Sequence, residues 1–255
     1  MIRESLGKQL VKADEQFRYR GKEPGRLENL SDGVFALAIT LLLISASAPA
    51  TFDQIKKFVW ELIPFTICIV LIMLIWWEHF SFFYRYGIRD TKIIVLNTTF
   101  LIILLFYVYP LNFLWRMLTL YPLSLIFDRP DLAVNISSMF RSSADTALLL
   151  IIYGVGVASI FFVLVLMYRH ALKNSERLEF NRVEEFDTRM SIRSNLLMAA
   201  IPTLSLILAI ILKDSRYVGY VSGFTYMLYM PVMLTHGFSA AKKRQKLLFE
   251  LNETT

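Results

Sequence analysis

Arg26-Leu-Glu-Asn-Leu30-Ser31-Asp32-Gly33-Val-Phe-Ala-Leu37-Ala-Ile-Thr40-Leu41-Leu-Leu-Ile44 gathers its polar residues at the start of an otherwise apolar span. About 20 predominantly apolar residues are what one helical crossing of a bilayer requires. The run reads as a membrane helix over roughly 30–47, bounded by Pro24-Gly25 before it and Pro49 after it. Outward from it, similar runs recur at roughly 54–84, 91–121, 145–171, 190–212 and 216–241, the fourth with a charged continuation to about residue 184. The expected fold is an all-α integral membrane protein with six transmembrane helices. It divides into an N-terminal segment (1–29), a membrane domain (30–241) and a C-terminal tail (242–255). The stretch from 122 to 144 is the least membrane-like linker and is expected to be a short external loop or interfacial helix.

Composition agrees. The chain is 56% hydrophobic, against about 45–50% apolar in soluble domains. Residues 1–26 carry seven Lys and Arg without an apolar core, so no cleavable signal peptide is expected. With the N-terminus inside, alternation puts 20 of the 27 Lys and Arg on the cytoplasmic side and 7 on the other. That bias predicts that both termini are cytoplasmic. The net charge of +6 therefore reflects topology, and no soluble basic face suggests a nucleic-acid partner.

Enzyme chemistry finds no support. No phosphate-binding glycine loop or nucleophile elbow is present. His79, His170 and His236 lack metal-ligand spacing, and Cys68 is the single cysteine. No cofactor and no tightly bound metal are expected.

The polar start of the first span has a plain structural explanation: Asn29 as a helix N-cap, with Asp32 favourably placed against the helix dipole. That leaves unexplained why Arg26, Ser31 and Asp32 cluster at the membrane edge, where unpaired burial is costly. The segment resembles the Arg-x-x-x-Phe-Ser-Asp signature of the endosomal and lysosomal potassium channel family. Arg26, Ser31 and Asp32 match, and Leu30 stands in place of Phe. Trp76-x-x-His79 and Asn97-x-x-Phe100-Leu101, followed by Pro110, resemble further family patterns.

The resemblance implies a potassium-conducting homotetramer whose four copies of the first helix line the pore. It implies an apolar constriction, which maps to Leu37, Leu41 and Ile44. Their spacings of four and three put them on one helical face, and an apolar ring can gate by dewetting. Thr40 lies beside that face, where its hydroxyl either meets a transient potassium ion or back-bonds to its own helix. Arg26, Asp32 and His79 are expected in one polar network that supports the pore helix structurally. Ordinary helix packing is the competing explanation for the leucine stripe.

Tyr153-Gly-Val-Gly156 is superficially like a potassium-channel filter, but the order is wrong and no re-entrant helix precedes it. Close packing or a kink explains it better, as it does Gly219-x-x-x-Gly223. The alternative function is a secondary transporter for a small ion or solute. Pro64, Pro110, Pro202 and Pro231 are possible helix breaks, yet membrane carboxylates are scarce. The expected setting is the cell membrane.

Overall fold

The computed structural model describes residues 16–44, 50–128 and 142–253. The core of the 122–144 linker, and residues 45–47 of the expected first span, lie outside them. The long helices are α1 (Arg26–Ile44), α2 (Phe52–Tyr86), α3 (Thr91–Ile126), α4 (Ser143–Lys173) and α5 (Arg182–Ile211). A short α6 (Val218–Phe224) and a 3-10 turn (Thr225–Leu228) lead into α7 (Tyr229–Glu253). Among the described residues, α1 to α5 are the helices long and apolar enough to cross a membrane.

Local chemistry sets the boundaries. Thr51 and Gln54 cap the start of α2 reciprocally, with Gln54 N–H bonded to Thr51 Oγ1 at 3.3 Å. Gly87 ends α2 at φ 60°, a left-handed conformation that suits glycine, and returns its N–H to the Phe83 carbonyl. Asp90 then caps α3, accepting from Ile93 N–H at 2.9 Å.

The structure corrects several expectations. The first helix begins at Arg26 rather than near residue 30, so Asn29 is not its N-cap. The fourth helix does not continue to residue 184. It stops at Lys173, a turn carries Glu179 at φ 49°, and Asn181 with Glu184 forms a fresh capping box for α5. The sixth segment is interrupted between α6 and α7, and α7 runs on past residue 241. Pro64 and Pro202 lie inside continuous helices, as does Pro110, because neighbouring turns and packed helices hold the backbone through them.

α4 is the central element, with α3 and α5 packed on it. Phe82 and Tyr86 of α2 meet Tyr168 of α4 edge-on, with ring centroids 5.2 and 5.8 Å apart. Cys68 is buried in this core as a free thiol. The two glycines of Tyr153-Gly-Val-Gly156 are packing sites within α4. A methyl group on Gly154 would sit 2.9 Å from the Pro202 carbonyl, and one on Gly156 would overlap the Tyr107 ring. A methyl group on Gly223, in contrast, would meet no described atom within 4 Å, so packing among the described residues does not account for it.

Candidate functional site: the base and free face of the first helix

A strap of chain before α1 is fastened to the end of α2. Arg20 N–H bonds the Arg85 carbonyl and Gly21 N–H bonds the Tyr84 carbonyl, both at 3.1 Å. These bonds satisfy carbonyls that a helix end otherwise leaves open. Arg20 also reaches the fully buried Glu184 of α5, with both guanidinium nitrogens 3.0 Å from its carboxylate. Glu28 in the first turn of α1 meets Arg89 at 3.1 Å. The approach to α1 is thus tied to α2, α5 and the α2–α3 loop.

Above these ties lies a buried polar chain. His79 Nε2 is 2.6 Å from Asn97 Oδ1, and Asn97 Nδ2 donates to Ser31 Oγ at 2.9 Å. Ser31 donates onward to the Leu27 carbonyl at 2.8 Å. A carbonyl oxygen only accepts, so Nε2 carries the proton and each hydrogen bond runs the same way toward α1. Aromatic rings enclose the chain: His79 stacks on Phe100 at 5.2 Å and meets Phe35 edge-on at 5.6 Å.

The network therefore differs from the expected grouping. Ser31 and His79 are joined, but through Asn97. Asp32 is exposed and accepts instead from Trp76 Nε1 at 2.8 Å. Arg26 is exposed, and among the described residues no hydrogen bond or ion pair joins it to Asp32 or His79. Sequence reasoning quoted Asn97 only as part of a pattern. Its signal was available, since an amide in an apolar helix needs a partner. The Glu28–Arg89 and Arg20–Glu184 pairs gave no such signal, being charges near the ends of helices.

Beyond the base, α1 is two-faced. Phe35, Ala38 and Leu42 are buried in the core, Leu42 being 2% exposed. Leu37 is 48% and Ile44 68% exposed, Thr40 is exposed beside them, and Leu41 is half-buried at the flank. Thr40 Oγ1 donates to the Ala36 carbonyl at 2.9 Å. That bond uses its proton and leaves the oxygen's lone pairs free.

A bundle of long apolar helices with a polar knot buried at the foot of the first is a multi-pass membrane protein. Residues 26–107, which contain both the knot and the free face, match the family described as endosomal/lysosomal potassium channel TMEM175. A protein of Marivirga tractuosa named "Potassium channel" is 42% identical over 243 residues, covering 94% of this chain and 96% of that one. The crystal structure of a threonine-to-alanine variant of the potassium channel MtTMEM175, bound to a nanobody–MBP fusion, superposes with a TM-score of 0.80. It is 41% identical and covers 90% of this chain and 99% of that one. The chain belongs to the TMEM175 potassium channel family and is not an enzyme. Neither relative is a carrier, so the transporter alternative gains nothing from them.

Proposed function

We propose that this protein is a potassium-selective channel, modestly selective over sodium, whose pore is lined by α1 from each subunit of a cyclic homotetramer. The observation that carries this reading is the two-faced α1. Its base is fastened to three other elements, and Leu37, Thr40 and Ile44 form a largely apolar face that no other described residue of its chain covers. One helix cannot enclose a pore, whereas a heterologous interface repeated around an axis closes into a ring. In that ring Leu37, Leu41 and Ile44 form successive dry collars, and an ion entering them sheds part of its water. The Thr40 oxygen, its proton turned inward to Ala36, offers its lone pairs to a transient potassium ion. Ser31, Asp32 and His79, with Arg26 at the foot, support the helix and do not coordinate the ion. The interrupted α6–α7 segment makes the sixth crossing, and both termini lie on the cytoplasmic side of the cell membrane.

The test is potassium and sodium flux into liposomes containing the purified protein. Wild type passes potassium in preference to sodium without ATP. Leu37→Ala widens a collar, raises flux and weakens discrimination. Leu42→Ala, about 140° away around the helix at 100° per residue, leaves ion preference unchanged. Flux no greater than that of empty liposomes, or a loss of discrimination in the Leu42 variant alone, overturns the assignment.

A further inference from the structure

An open cleft of about 800 Å³ lies away from α1, in the groove over the end of α4 where α3 and α5 flank it. Its mouth is basic: Lys92 comes from the first turn of α3, Arg169 and Lys173 from the end of α4, and Arg189 and Arg193 from α5. Arg189 is already paired with Glu185, and the nearby His170 is paired with Asp90 at 2.6 Å. Among the described residues, the side chains of Lys92, Arg169, Lys173 and Arg193 make no ion pair or hydrogen bond. Four uncompensated cations around one cleft repel one another, and an anion in the cleft relieves that repulsion.

The floor is of opposite character. Leu96 lies one turn beyond Lys92, Leu166 one turn before Arg169, and Leu196 one turn beyond Arg193. On α3 and α5 the numbering rises away from the adjoining loops, and on α4 it falls, so every such step leads about 5 Å deeper toward the apolar middle of the bundle. Three helices therefore carry the same gradient, cationic at the loop end and aliphatic one turn below. That is the gradient of a phospholipid, whose charged headgroup is joined to acyl chains. The retention of basic residues on the cytoplasmic side accounts for their number. It does not account for their convergence from three helices on one cleft.

We propose that this cleft holds the headgroup of an anionic membrane phospholipid, with the acyl chains lying over Leu96, Leu166 and Leu196. Free phosphate matches the mouth but has no use for the floor.

Native mass spectrometry of the full-length protein in detergent, offered equal amounts of phosphatidylglycerol and phosphatidylcholine, tests this without recourse to ion flux. Wild type retains phosphatidylglycerol preferentially. A basic group near an anionic headgroup strengthens binding about fivefold, so Arg169→Gln/Lys173→Gln/Arg193→Gln weakens retention by about a hundredfold. Lys242→Gln/Lys243→Gln/Lys246→Gln, an equal loss of charge on α7, leaves retention unchanged. Arg169→Lys/Arg193→Lys keeps the charge and the lipid. Equal losses from both triple variants, or displacement of the lipid by glycerol 3-phosphate at matching concentration, overturn the proposal. Should the first triple variant fail to fold, a salt titration of wild type decides: the preference falls as salt rises, and a salt-independent preference overturns the proposal.

Discussion

Replacing Asn97 by alanine probes the link that holds the foot of α1. Asn97 has no exposed surface, and its two side-chain bonds, 2.6 Å to His79 and 2.9 Å to Ser31, join α2, α3 and α1. The truncation leaves the His79 Nε2–H buried without an acceptor, and in a soluble protein such a group costs about 1–3 kcal/mol. Ser31 loses an incoming bond but keeps its own to Leu27, so its share is smaller. In a bilayer the unfolded helices also find polar partners, and measured couplings between membrane helices average about 0.6 and reach about 1.7 kcal/mol. The lower half of the soluble range therefore applies, and Asn97→Ala should cost about 1–2 kcal/mol. The sharper quantity is the coupling between Ser31→Ala and Asn97→Ala. Each single change removes their shared bond, so the double variant should fall short of the summed losses by about 1 kcal/mol. Unfolding of the reconstituted protein by sodium dodecyl sulfate, at fixed protein concentration, measures all four corners of the cycle. Strict additivity would refute a working Ser31–Asn97 bond, and a costless Asn97→Ala would refute the whole chain.

Two further predictions concern the frame around the site. Burial pushes the Asp90 carboxyl up, but the bonds from His170 and from Ile93 N–H, together with Arg177, outweigh it and hold Asp90 below its ordinary value. A depressed carboxyl stabilises the fold above its unfolded value, near pH 4, and that stabilisation is lost as pH falls through the folded value. Unfolding midpoints should therefore drop below about pH 4 in wild type, and Asp90→Asn should flatten that part of the profile. Gly156→Ala drives a methyl group into the Tyr107 ring and should cost about 1–3 kcal/mol in the same unfolding assay, whereas Gly223→Ala, which meets open space, should cost nothing.

The five long helices were legible because a bilayer imposes its demand locally: a run of apolar side chains reveals itself without reference to the rest of the chain. Their ends were less so. A capping box at Asn181 and a left-handed Glu179 are brief polar signals, easily read through when the surrounding residues are good helix formers. The break at Thr225–Leu228 did leave a mark, since Pro231, a possible helix break by sequence, stands in the first turn of α7. At the site, Trp76, His79, Asn97 and Phe100 were all quoted as pattern residues, and the fold gathers them at the foot of α1. What the sequence withheld was the pairing. Ser31 and Asp32 are adjacent, yet one points into the core toward Asn97 and the other outward to Trp76. The partner of each depends on how far the neighbouring helices are rotated, which is a property of the packed bundle.

The free face of α1 has a consequence for how the protein is made. From Gly33 to Ile44 it carries no charged side chain, and its one hydroxyl, on Thr40, is already satisfied by Ala36. Lipid therefore wets this face without penalty. A newly inserted subunit can fold fully, with α1 braced at its foot, and wait in the bilayer as a separate species before meeting other copies. In the proposed ring, folding and association would then be successive reactions. The second is governed by how many subunits share the membrane, because their mutual contact replaces lipid rather than water.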